Sequence, residues 1–469
     1  MINFLLFLSF LLPTAAAETS APPAWVKLVG ARTAPSKKTV FSTTTYGAVA
    51  DGKTLATKAI QQTIDACAAK GGGVVTFKPG QYLTGSLFLK QGVTLHLDKG
   101  VELLGSQSLS DYPEIDTRVA GIEMRWPAAL INIIDQKNVA ITGQGIVNAQ
   151  GKPFWDSYWA LRKDYEAKGL RWIVDYDAKR PRTLLVSGSS DVTLKSITLQ
   201  QAGFWTVHIL YSDHITADGL VIRNNIGGHG PSTDGIDIDS STYILVQHCD
   251  IDCNDDNFCL KAGRDWDGLR VNRPTEYVLI QNCVSGAGGG LITFGSETSG
   301  GINHVMARNL TAKGTGVGIR LKSAMTRGGT VSDIYMENIT MEDVGVPVEV
   351  TMNWNPSYSY STLPAGYTEA TLPPHWKAML AKVEPAKRGI PHFKDVHISG
   401  LKVTGAKRGI MAAGLANSLL ENFTFTDVII AANSAGQIDY AKGWTVKNLQ
   451  ITAKDSKPVV VKNSDGLSL

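Results

Sequence analysis

An eight-residue phrase recurs along the chain from residue 139 onward, and it restricts the folds that the chain can adopt. Positions 1 and 3 of the phrase, and usually positions 6 and 8, are apolar. Position 5 is Gly, Ser, Asn, Asp or His, residue types that are found at bends. Each copy is therefore predicted to form a strand, a bend and a second strand. The ten copies begin at Val139, Val192, Ile215, Ile244, Val278, Val305, Ile334, Val396, Phe423 and Trp444.

A repeat of this kind is one supersecondary unit that cannot bury its apolar face alone, so stacked copies must share a core. The period of roughly 20–35 residues, the short strands and the lack of helical patterns predict an all-β fold, a right-handed parallel β-helix. Asn282, Asn309 and Asn338 occupy position 5 in successive copies, where their amides are expected to stack as a ladder. Cys249 and Cys283 occupy position 6 and are predicted to be small core residues.

The region before the repeats has three parts. Residues 1–17 form an apolar run that ends in small residues, which is typical of a secretory signal peptide and predicts export to the periplasm or the medium. A buried N-terminal strand is the alternative. Residues 18–38 are polar and proline-containing and predict an extended lead-in, and 39–469 would form a single β-helix domain. Within it, residues 57–70 have helical spacing and end at three glycines, which predicts a short N-terminal capping helix.

Composition excludes some classes of partner and site. A net charge of +3 on 469 residues is too small to indicate a nucleic-acid partner. After the first apolar run, no stretch of the sequence is long and apolar enough to span a bilayer. The five cysteines are an odd number and do not define a disulfide framework, and their spacing lacks the second pair of a zinc site.

Three aspartates are the candidate catalytic residues. Asp234 and Asp255 lie 21 residues apart, which can be one turn of the solenoid, and Asp256 follows directly. Coils of a parallel sheet stack about 4.8 Å apart, so these side chains can project together from one face. Crowded carboxylates raise at least one pKa and so supply an acid beside a base, as glycoside hydrolysis requires. Turn residues or a calcium site are the alternatives, although EF-hand spacing is absent from the sequence.

Two further features indicate an anionic sugar polymer. Arg320 and Lys322 lie two residues apart on one side of a predicted strand, an arrangement suited to a carboxylate ligand, with a surface pair as the alternative. Residues 350–393 interrupt the repeat, and insertions in solenoids often project from the binding face. Trp354, Tyr358 and Tyr360 in this insertion would either give a sugar ring an aromatic platform or pack the loop on itself.

These residues resemble glycoside hydrolase family 28, the polygalacturonase and rhamnogalacturonan hydrolase family. The resemblance covers nearly the whole chain after the signal peptide. It is carried by a Y-G-A-x-x-D-G motif at Tyr46, a G-G-G-x-V motif at Gly71, Y-L-T-G-S-L-x-L-K at Tyr82, T-D-G-I-D at Thr233, D-D at Asp255 and R-L-K at Arg320.

The resemblance implies hydrolysis of galacturonate linkages with inversion, no cofactor and no metal, by a monomer whose partner is a pectic polysaccharide or oligosaccharide. Asp255 would be the general acid, and Asp234 and Asp256 would activate water. Inverting enzymes usually hold their acid and base about 6.5–9.5 Å apart. Arg320 and Lys322 match the family's substrate-binding pair.

Two positions depart from the family pattern. Ser232 replaces the asparagine of the usual N-T-D, and Gly289 stands where the family's G-H-G motif has histidine. A literal G-H-G surrounds His229, which is either a substrate contact from its loop or a plain loop histidine. Because the rhamnogalacturonan branch also lacks the motif histidine, the favoured substrate is the rhamnogalacturonan I backbone, with homogalacturonan as the alternative. Pectate lyase and a non-catalytic carbohydrate-binding solenoid are the alternatives from other classes.

Overall fold

The computed structural model describes residues 21–467, and within this range the chain winds into stacked coils whose strands form three parallel ladders. The first ladder contains the first halves of the ten phrases. Its strands are Val40–Ser42, Gly73–Thr76, Val93–Leu97, Lys137–Gly143, Ser190–Lys195, Asp213–Asp218, Thr242–Gln247, Thr275–Ser285, Ile302–Lys313, Thr330–Glu342, His392–Ala413, Leu420–Asp439 and Thr445–Ala453.

The second and third ladders complete each coil. The second consists of Asp51–Leu55, Gly80–Thr84, Val101–Gly105, Ile146–Asn148, Thr198–Gln200, Val221–Arg223 and Asp250–Asp252, and then merges with the long strands of the first. The third consists of Leu87–Phe88, Ile131–Ile134, Leu184–Ser187, Val207–Leu210, Ile236–Asp239, Phe258–Lys261, Gly290–Phe294, Val317–Lys322, Val346–Thr351, the ends of the two longest strands, and Val460–Lys462.

Helices and a hairpin are inserted between the coils. The α-helices are Thr57–Ala69, Lys152–Ala167, Val174–Asp177, Asp265–Val271, Pro356–Ser359 and Pro374–Leu380. The 3-10 turns are Ala24–Lys27, Thr43–Tyr46, Leu109–Asp111, Arg171–Ile173, Glu369–Thr371 and Ala386–Gly389. The antiparallel hairpin pairs Glu114–Val119 with Ile122–Pro127, and Ala441–Lys442 is a short additional strand.

The sequence phrase and the strand register coincide. Each phrase begins opposite the first residue of the next, from Val139 beside Val192 to Phe423 beside Trp444. Position 5 has a positive φ, between 52° and 116°, in all ten copies. This left-handed bend explains why the position is limited to Gly and to polar residues that tolerate such a conformation.

Position 6 turns inward after the bend, as predicted. Cys249 and Cys283 are buried in the main core among leucines and isoleucines, and all five cysteines are free and buried. On the outside of the bend, Asn309 donates a 3.0 Å hydrogen bond to Asn282, and Asn338 donates a 2.8 Å bond to Asn309. The predicted amide ladder is therefore present.

The N-terminal part of the described chain covers the first coils. The helix Thr57–Ala69 buries Ile60, Ile64 and Cys67 against the first strands and forms the predicted cap. The lead-in runs along the outside of the coils, where Trp25 contacts the ring of Tyr277. The predicted signal peptide, residues 1–17, lies outside the described residues.

The prediction that the repeat region lacks helices is wrong. The hairpin, the segment from Lys152 to Asp177 and the 350–393 insertion pack together against one side of the coils and form a separate lateral core. Four tryptophans are buried in it, one from each of these three segments and Trp205 from the coils, which is why these segments fold back on the solenoid instead of extending into solvent. The buried members of the lateral core are Val119, Ala120, Ile122, Trp126, Leu170, Trp172, Ile173, Tyr176, Phe204, Trp205, Leu372, Trp376 and Met379.

Among residues 21–467, the structure contains no helix that is both long and apolar enough to cross a membrane.

Candidate active site

The three candidate aspartates meet at the start of two neighbouring strands of the third ladder. Asp234 precedes Ile236–Asp239, and Asp255 and Asp256 precede Phe258–Lys261. Ile236 lies opposite Phe258, so the two acidic segments are in register, and the backbone N–H of Gly235 donates a 2.9 Å hydrogen bond to the carbonyl of Asp256. The expectation that adjacent coils bring these residues together is thus met.

The carboxylates are close and shielded from solvent. One oxygen from each of Asp234, Asp255 and Asp256 lies within 4.8 Å of the others, and Asp234 and Asp256 are buried. These oxygens are closer than the usual spacing of about 6.5–9.5 Å between the carboxyl groups of inverting enzymes. The spacing expected from the sequence is therefore not observed between the nearest oxygens.

Asp256 is held as an anion by the predicted cationic pair. Lys322 Nζ lies 2.8 Å from its Oδ2, and an Arg320 terminal nitrogen lies 3.2 Å from its Oδ1. Burial alone would raise the pKa of Asp256, but Lys322 and Arg320 outweigh it and hold this pKa far below its usual value. Arg320 is also oriented by Glu349, whose carboxylate accepts a 3.1 Å hydrogen bond from its Nε.

Asp255 and Asp234 have the opposite electrostatic character. Burial and the charge of Asp256 raise the pKa of Asp255. Burial and the neighbouring Asp237 raise the pKa of Asp234 well above its usual value. Adjacent carboxyls whose pKa values are pushed apart provide an acid and a base in one site.

A cavity of about 100 Å³ opens above these carboxyls. Its walls combine the third ladder with side chains from the hairpin, the Lys152–Asp177 segment and the 350–393 insertion. The residues that line it are Ala120, Arg171, Asp175, Phe204, Trp205, Ser232, Asp234, Asp255, Asp256, Lys261, Ser296, Glu297, Arg320, Lys322, Trp354 and Tyr358. The acidic trio and the Arg320–Lys322 pair therefore share one cavity.

Several of these wall residues were not predicted from the sequence. Lys261 and Glu297 form a buried ion pair at 3.2 Å beside the acidic trio. Arg171 and Asp175 form a second pair at 2.8 Å in the part of the wall that the Lys152–Asp177 segment provides. The only sequence signal for Lys261 is its place at the end of the strand Phe258–Lys261, shortly after Asp256, on the same side of the third ladder as Arg320 and Lys322. Arg171 lies in a segment with no repeat pattern.

The two departures from the family pattern lie beside the trio. Ser232 lines the cavity and donates a 3.0 Å hydrogen bond to Asp175, so it connects the loop that carries Asp234 to the Lys152–Asp177 segment. Gly289 lies against Asp255, because its N–H donates a 2.7 Å bond to the Asp255 carbonyl and a Cβ there would lie 3.3 Å from Asp255 Oδ1. His229 is exposed and does not line the cavity, which is the position of a plain loop histidine.

The three aromatic residues of the insertion divide between the two predicted roles. Trp354 lines the cavity, and Lys322 Nζ lies over one face of its ring, 4.4 Å from the centre, so its role as a platform for a sugar stays a prediction for the other face. Tyr358 lines the cavity but is buried beneath Arg171 and Arg264. Tyr360 packs the loop on itself, because its hydroxyl donates a 2.6 Å hydrogen bond to Asn353.

Residues 82–366 match the family model described as glycosyl hydrolases family 28. The chain belongs to this family. The match includes the acidic trio, Gly289 and the Arg320–Lys322 pair, and with them four of the six motifs that carried the sequence resemblance; the motifs at Tyr46 and Gly71 precede it.

Relatives in this family carry polygalacturonase names. A probable polygalacturonase of Vitis vinifera is 33% identical over 320 residues, which cover 66% of this chain and 60% of that protein. An exo-poly-alpha-D-galacturonosidase of Dickeya chrysanthemi is 26% identical over 469 residues, which cover 89% of this chain and 75% of that protein. The match with the grapevine protein thus spans less than two thirds of its length.

The solved structure of a hyperthermoactive exopolygalacturonase from Thermotoga maritima has the same fold. It superposes with a TM-score of 0.76 at 24% identity, covering 90% of this chain and 94% of that one. This similarity and the parallel ladders confirm the predicted right-handed parallel β-helix.

Proposed function

We propose that this protein is a polygalacturonase, a hydrolase that cleaves linkages between galacturonate residues in homogalacturonan. The observation that carries the proposal is the cavity in which Asp255 lies beside the anionic Asp256 and next to Arg320 and Lys322. These four side chains supply a proton, a base and a cationic environment for a uronate carboxylate.

In the proposed reaction, the protonated Asp255 gives its proton to the oxygen of the breaking glycosidic bond. A water molecule forms the new bond to the anomeric carbon and gives its proton to the anionic Asp256, with Asp234 as its partner. The raised pKa of Asp255, caused by burial and by Asp256, favours its protonated form, which can act as the acid. The low pKa of Asp256 favours its ionised form, which can act as the base.

The cationic pair supports an acidic sugar next to the cleaved bond. Lys322 is buried and its ammonium pairs with Asp256, whereas the side chain of Arg320 is 16% exposed. A guanidinium can bind a carboxylate through two hydrogen bonds, and Arg320 is held in place for this by Glu349. Trp354 offers its ring on the same side of the cavity.

Homogalacturonan is proposed in preference to the rhamnogalacturonan I backbone that the missing histidine suggested. The relatives in plants and bacteria carry polygalacturonase names, although they differ from this chain at most positions. Gly289 remains the argument for a rhamnose neighbour, since it leaves room beside Asp255 and removes a hydrogen-bond donor. Both polymers therefore belong in the first experiment.

Attack at a chain end is the second part of the proposal. One side of the cavity is walled by Arg171 and Asp175 from one insertion and by Tyr358 from another. These residues are fixed by the buried lateral core and by the bond between Ser232 and Asp175. A wall of this kind favours a substrate that enters end first, as the exo-acting names of the Dickeya and Thermotoga proteins also suggest.

The test is a time course of products from polygalacturonate and from rhamnogalacturonan I backbone, both in EDTA, with Asp255→Asn as the control. The proposal expects saturated mono- or digalacturonate from polygalacturonate from the start of the reaction. Cleavage of rhamnogalacturonan alone would reverse the choice of substrate, and early release of long oligomers would indicate attack within the chain. Unsaturated products would indicate a lyase, and no cleavage of either polymer would favour a binding protein.

Stereochemistry needs its own measurement, because the nearest oxygens of the trio are within 4.8 Å. Proton NMR of the first product detects which anomer is released. The opposite anomer to that of the substrate linkage is expected for inversion, and the same anomer would contradict it.

A further inference from the structure

Directly beneath the acidic trio lies a buried cation that the proposed reaction does not use. Lys261 is at the end of the strand Phe258–Lys261, and only 6% of its side chain is exposed. Its Nζ lies 3.2 Å from Glu297, 3.7 Å from Asp237 and 3.9 Å from Asp234. Its fourth neighbour is the ring of Trp205, whose centre is 4.8 Å from the ammonium. A single cation is thus shared by three carboxyls.

Asp237 is the unusual member of this group. It is fully buried, does not line the cavity, and among residues 21–467 neither of its carboxylate oxygens has a hydrogen-bond donor. An oxygen of Asp237 lies within 4.8 Å of an oxygen of Asp234, and Oδ1 of Asp234 also lacks a donor in the described structure. A buried carboxylate without donors is costly, and a proton removes that cost.

The charges around Lys261 determine where that proton resides. Lys261, Arg327 and Arg264 together outweigh the burial of Glu297 and keep its pKa below the usual value. The charge of Lys261 is therefore balanced by the ionised Glu297. If Asp234 and Asp237 were both ionised as well, the interior would hold an uncompensated negative charge. Of the remaining two, Asp234 faces the cavity whereas Asp237 does not, so Asp237 is the better place for a proton.

Other ionisable groups face the Asp234–Asp237 pair from the adjacent coils. His208 lies opposite Asp237 in the preceding strand, and burial lowers its pKa to about 4, so it is neutral. The remaining groups that face the pair are Asp255, Asp256, Asp239, Cys259 and Arg182. Asp256 and Asp239 have lowered pKa values and are anionic, burial raises the pKa values of Asp255 and Cys259, and Arg182 is a cation. The cation that acts on both members of the pair is Lys261.

We propose that Lys261 and a protonated Asp237 form a buried layer that keeps the Asp234 carboxylate ionised toward the reaction cavity. Lys261 and Asp237 are positioning residues in this scheme, because both act on the reaction through Asp234. Asp237 itself does not reach the cavity. The proposal rests on the proposed function for its catalytic consequence, since an ionised Asp234 is useful as a partner of Asp256 in accepting the proton of water.

The first experiment compares Lys261→Met, which keeps the length and removes the charge, with Lys261→Arg, which keeps the charge. The measurement is the dependence of kcat/KM on pH with polygalacturonate as substrate. Without the cation, Asp234 needs a higher pH to ionise, so the acidic limb of the profile is expected to move upward by about one to three pH units. Lys261→Arg is expected to keep the limb near its wild-type position. A limb that does not move in Lys261→Met would overturn the role of Lys261.

The second experiment needs no catalysis and uses two aspartates of one strand. Asp237 is predicted to have a raised folded-state pKa, whereas Arg118, at 2.9 Å, holds the pKa of Asp239 below its usual value despite burial. A carboxyl with a raised folded-state pKa stabilises the protein below its unfolded pKa of about 3.9, and this contribution is lost as the pH rises. A carboxyl with a lowered folded-state pKa stabilises the protein above its unfolded pKa, and this contribution is lost only as the pH falls below about 4.

Thermal unfolding of Asp237→Asn and Asp239→Asn is therefore measured at about pH 4 and about pH 7. Asp237→Asn is expected to gain about 2 °C or more in unfolding midpoint relative to wild type between the two pH values, whereas Asp239→Asn is expected to keep a nearly constant difference from wild type, because the contribution of Asp239 is lost only below about pH 4. If the difference between Asp237→Asn and wild type stays as constant as that of Asp239→Asn, Asp237 is ionised in the fold and the proposal is wrong.

The two experiments separate failure of this inference from failure of the proposed function. A wild-type protein that does not cleave polygalacturonate would contradict the proposed substrate, and the unfolding measurements would still decide the state of Asp237. An active wild type whose acidic limb is the same in all Lys261 variants would contradict only the buried layer.

Discussion

Lys322 Nζ donates a 2.8 Å hydrogen bond to Asp256 Oδ2, whereas the adjacent Asp255 accepts a 3.0 Å hydrogen bond from the backbone N–H of Asp256. Two consecutive residues of the same type thus meet opposite electrostatic environments. The charge on Asp256 is balanced by a cation, and the charge that Asp255 would carry is opposed by Asp256. The division of the pair into a base and an acid follows from this difference.

Lys322→Met is expected to weaken the base. Loss of the ammonium raises the pKa of Asp256, so the acidic limb of kcat/KM should move to higher pH, and kcat should fall by about 100-fold or more at the optimum. The measurement is a pH profile on the polymer that the wild type cleaves. Lys313→Met, which removes an exposed ion pair with Glu342 in a neighbouring coil, is the matched control. If the pH profile of Lys322→Met is the same as that of wild type, the ionisation of Asp256 does not control the reaction, and its role as the base is contradicted.

The fold was predictable because the repeat is a local signal. Each phrase fixes an inward pattern and a bend, and the bend requires a left-handed conformation that few residue types tolerate. The lateral core was not predictable in the same way. Helices such as Lys152–Ala167 follow no repeat, and they are stable because Trp155 is buried against Ala202 and Tyr158 against Val174, contacts with residues outside the helix that no local pattern announces.

The candidate site shows the same contrast. Asp234, Asp255, Asp256, Arg320 and Lys322 belong to motifs with recognisable spacing, and the structure brings all five into one cavity. Their assigned roles stay predictions until activity is measured. Lys261, Glu297 and Arg171 lack such motifs, and their proximity to the trio depends on the register of the third ladder and on the lateral core. For His229 the sequence left a substrate contact and a plain loop histidine open, and the exposed position of its loop, outside the cavity lining, favours the second.

Trp354→Ala is expected to weaken substrate binding. If a sugar ring packs on the indole, loss of an interaction of about 0.5–1.5 kcal/mol raises KM by about threefold to tenfold, with a smaller change in kcat. Steady-state kinetics of Trp354→Ala and Trp354→Phe check this, and Phe should restore part of the binding. Trp266→Ala, at an exposed tryptophan outside the cavity lining, is the control. Equal KM values in Trp354→Ala and wild type would contradict the platform.

Gly289→Ala is expected to disturb the proposed acid. A Cβ at this position would lie 3.3 Å from Asp255 Oδ1, so either the carboxyl or the loop must shift. A fall in kcat of about tenfold or more is expected, since small displacements of a catalytic group are costly. Gly286→Ala is a close match, because its Cβ would lie 3.3 Å from Asp252 Oδ2, away from the cavity. Loss of activity in both variants would point to loop damage instead of an effect on Asp255.

Asn309→Ala is expected to destabilise the fold without a direct effect on the site. Asn309 has φ near 54° and takes part in two side-chain hydrogen bonds of the amide ladder, at 3.0 and 2.8 Å. Alanine loses these bonds and adopts the left-handed conformation at a cost of about 1–2 kcal/mol. Asn309→Gly loses the same bonds but tolerates the bend, so it should be the more stable of the two. Thr311→Ala, two residues along the same strand and also exposed, removes a side chain where the backbone is extended. Equilibrium unfolding in denaturant measures the three variants, and an alanine variant as stable as Asn309→Gly would show that the bend imposes no conformational cost at this position.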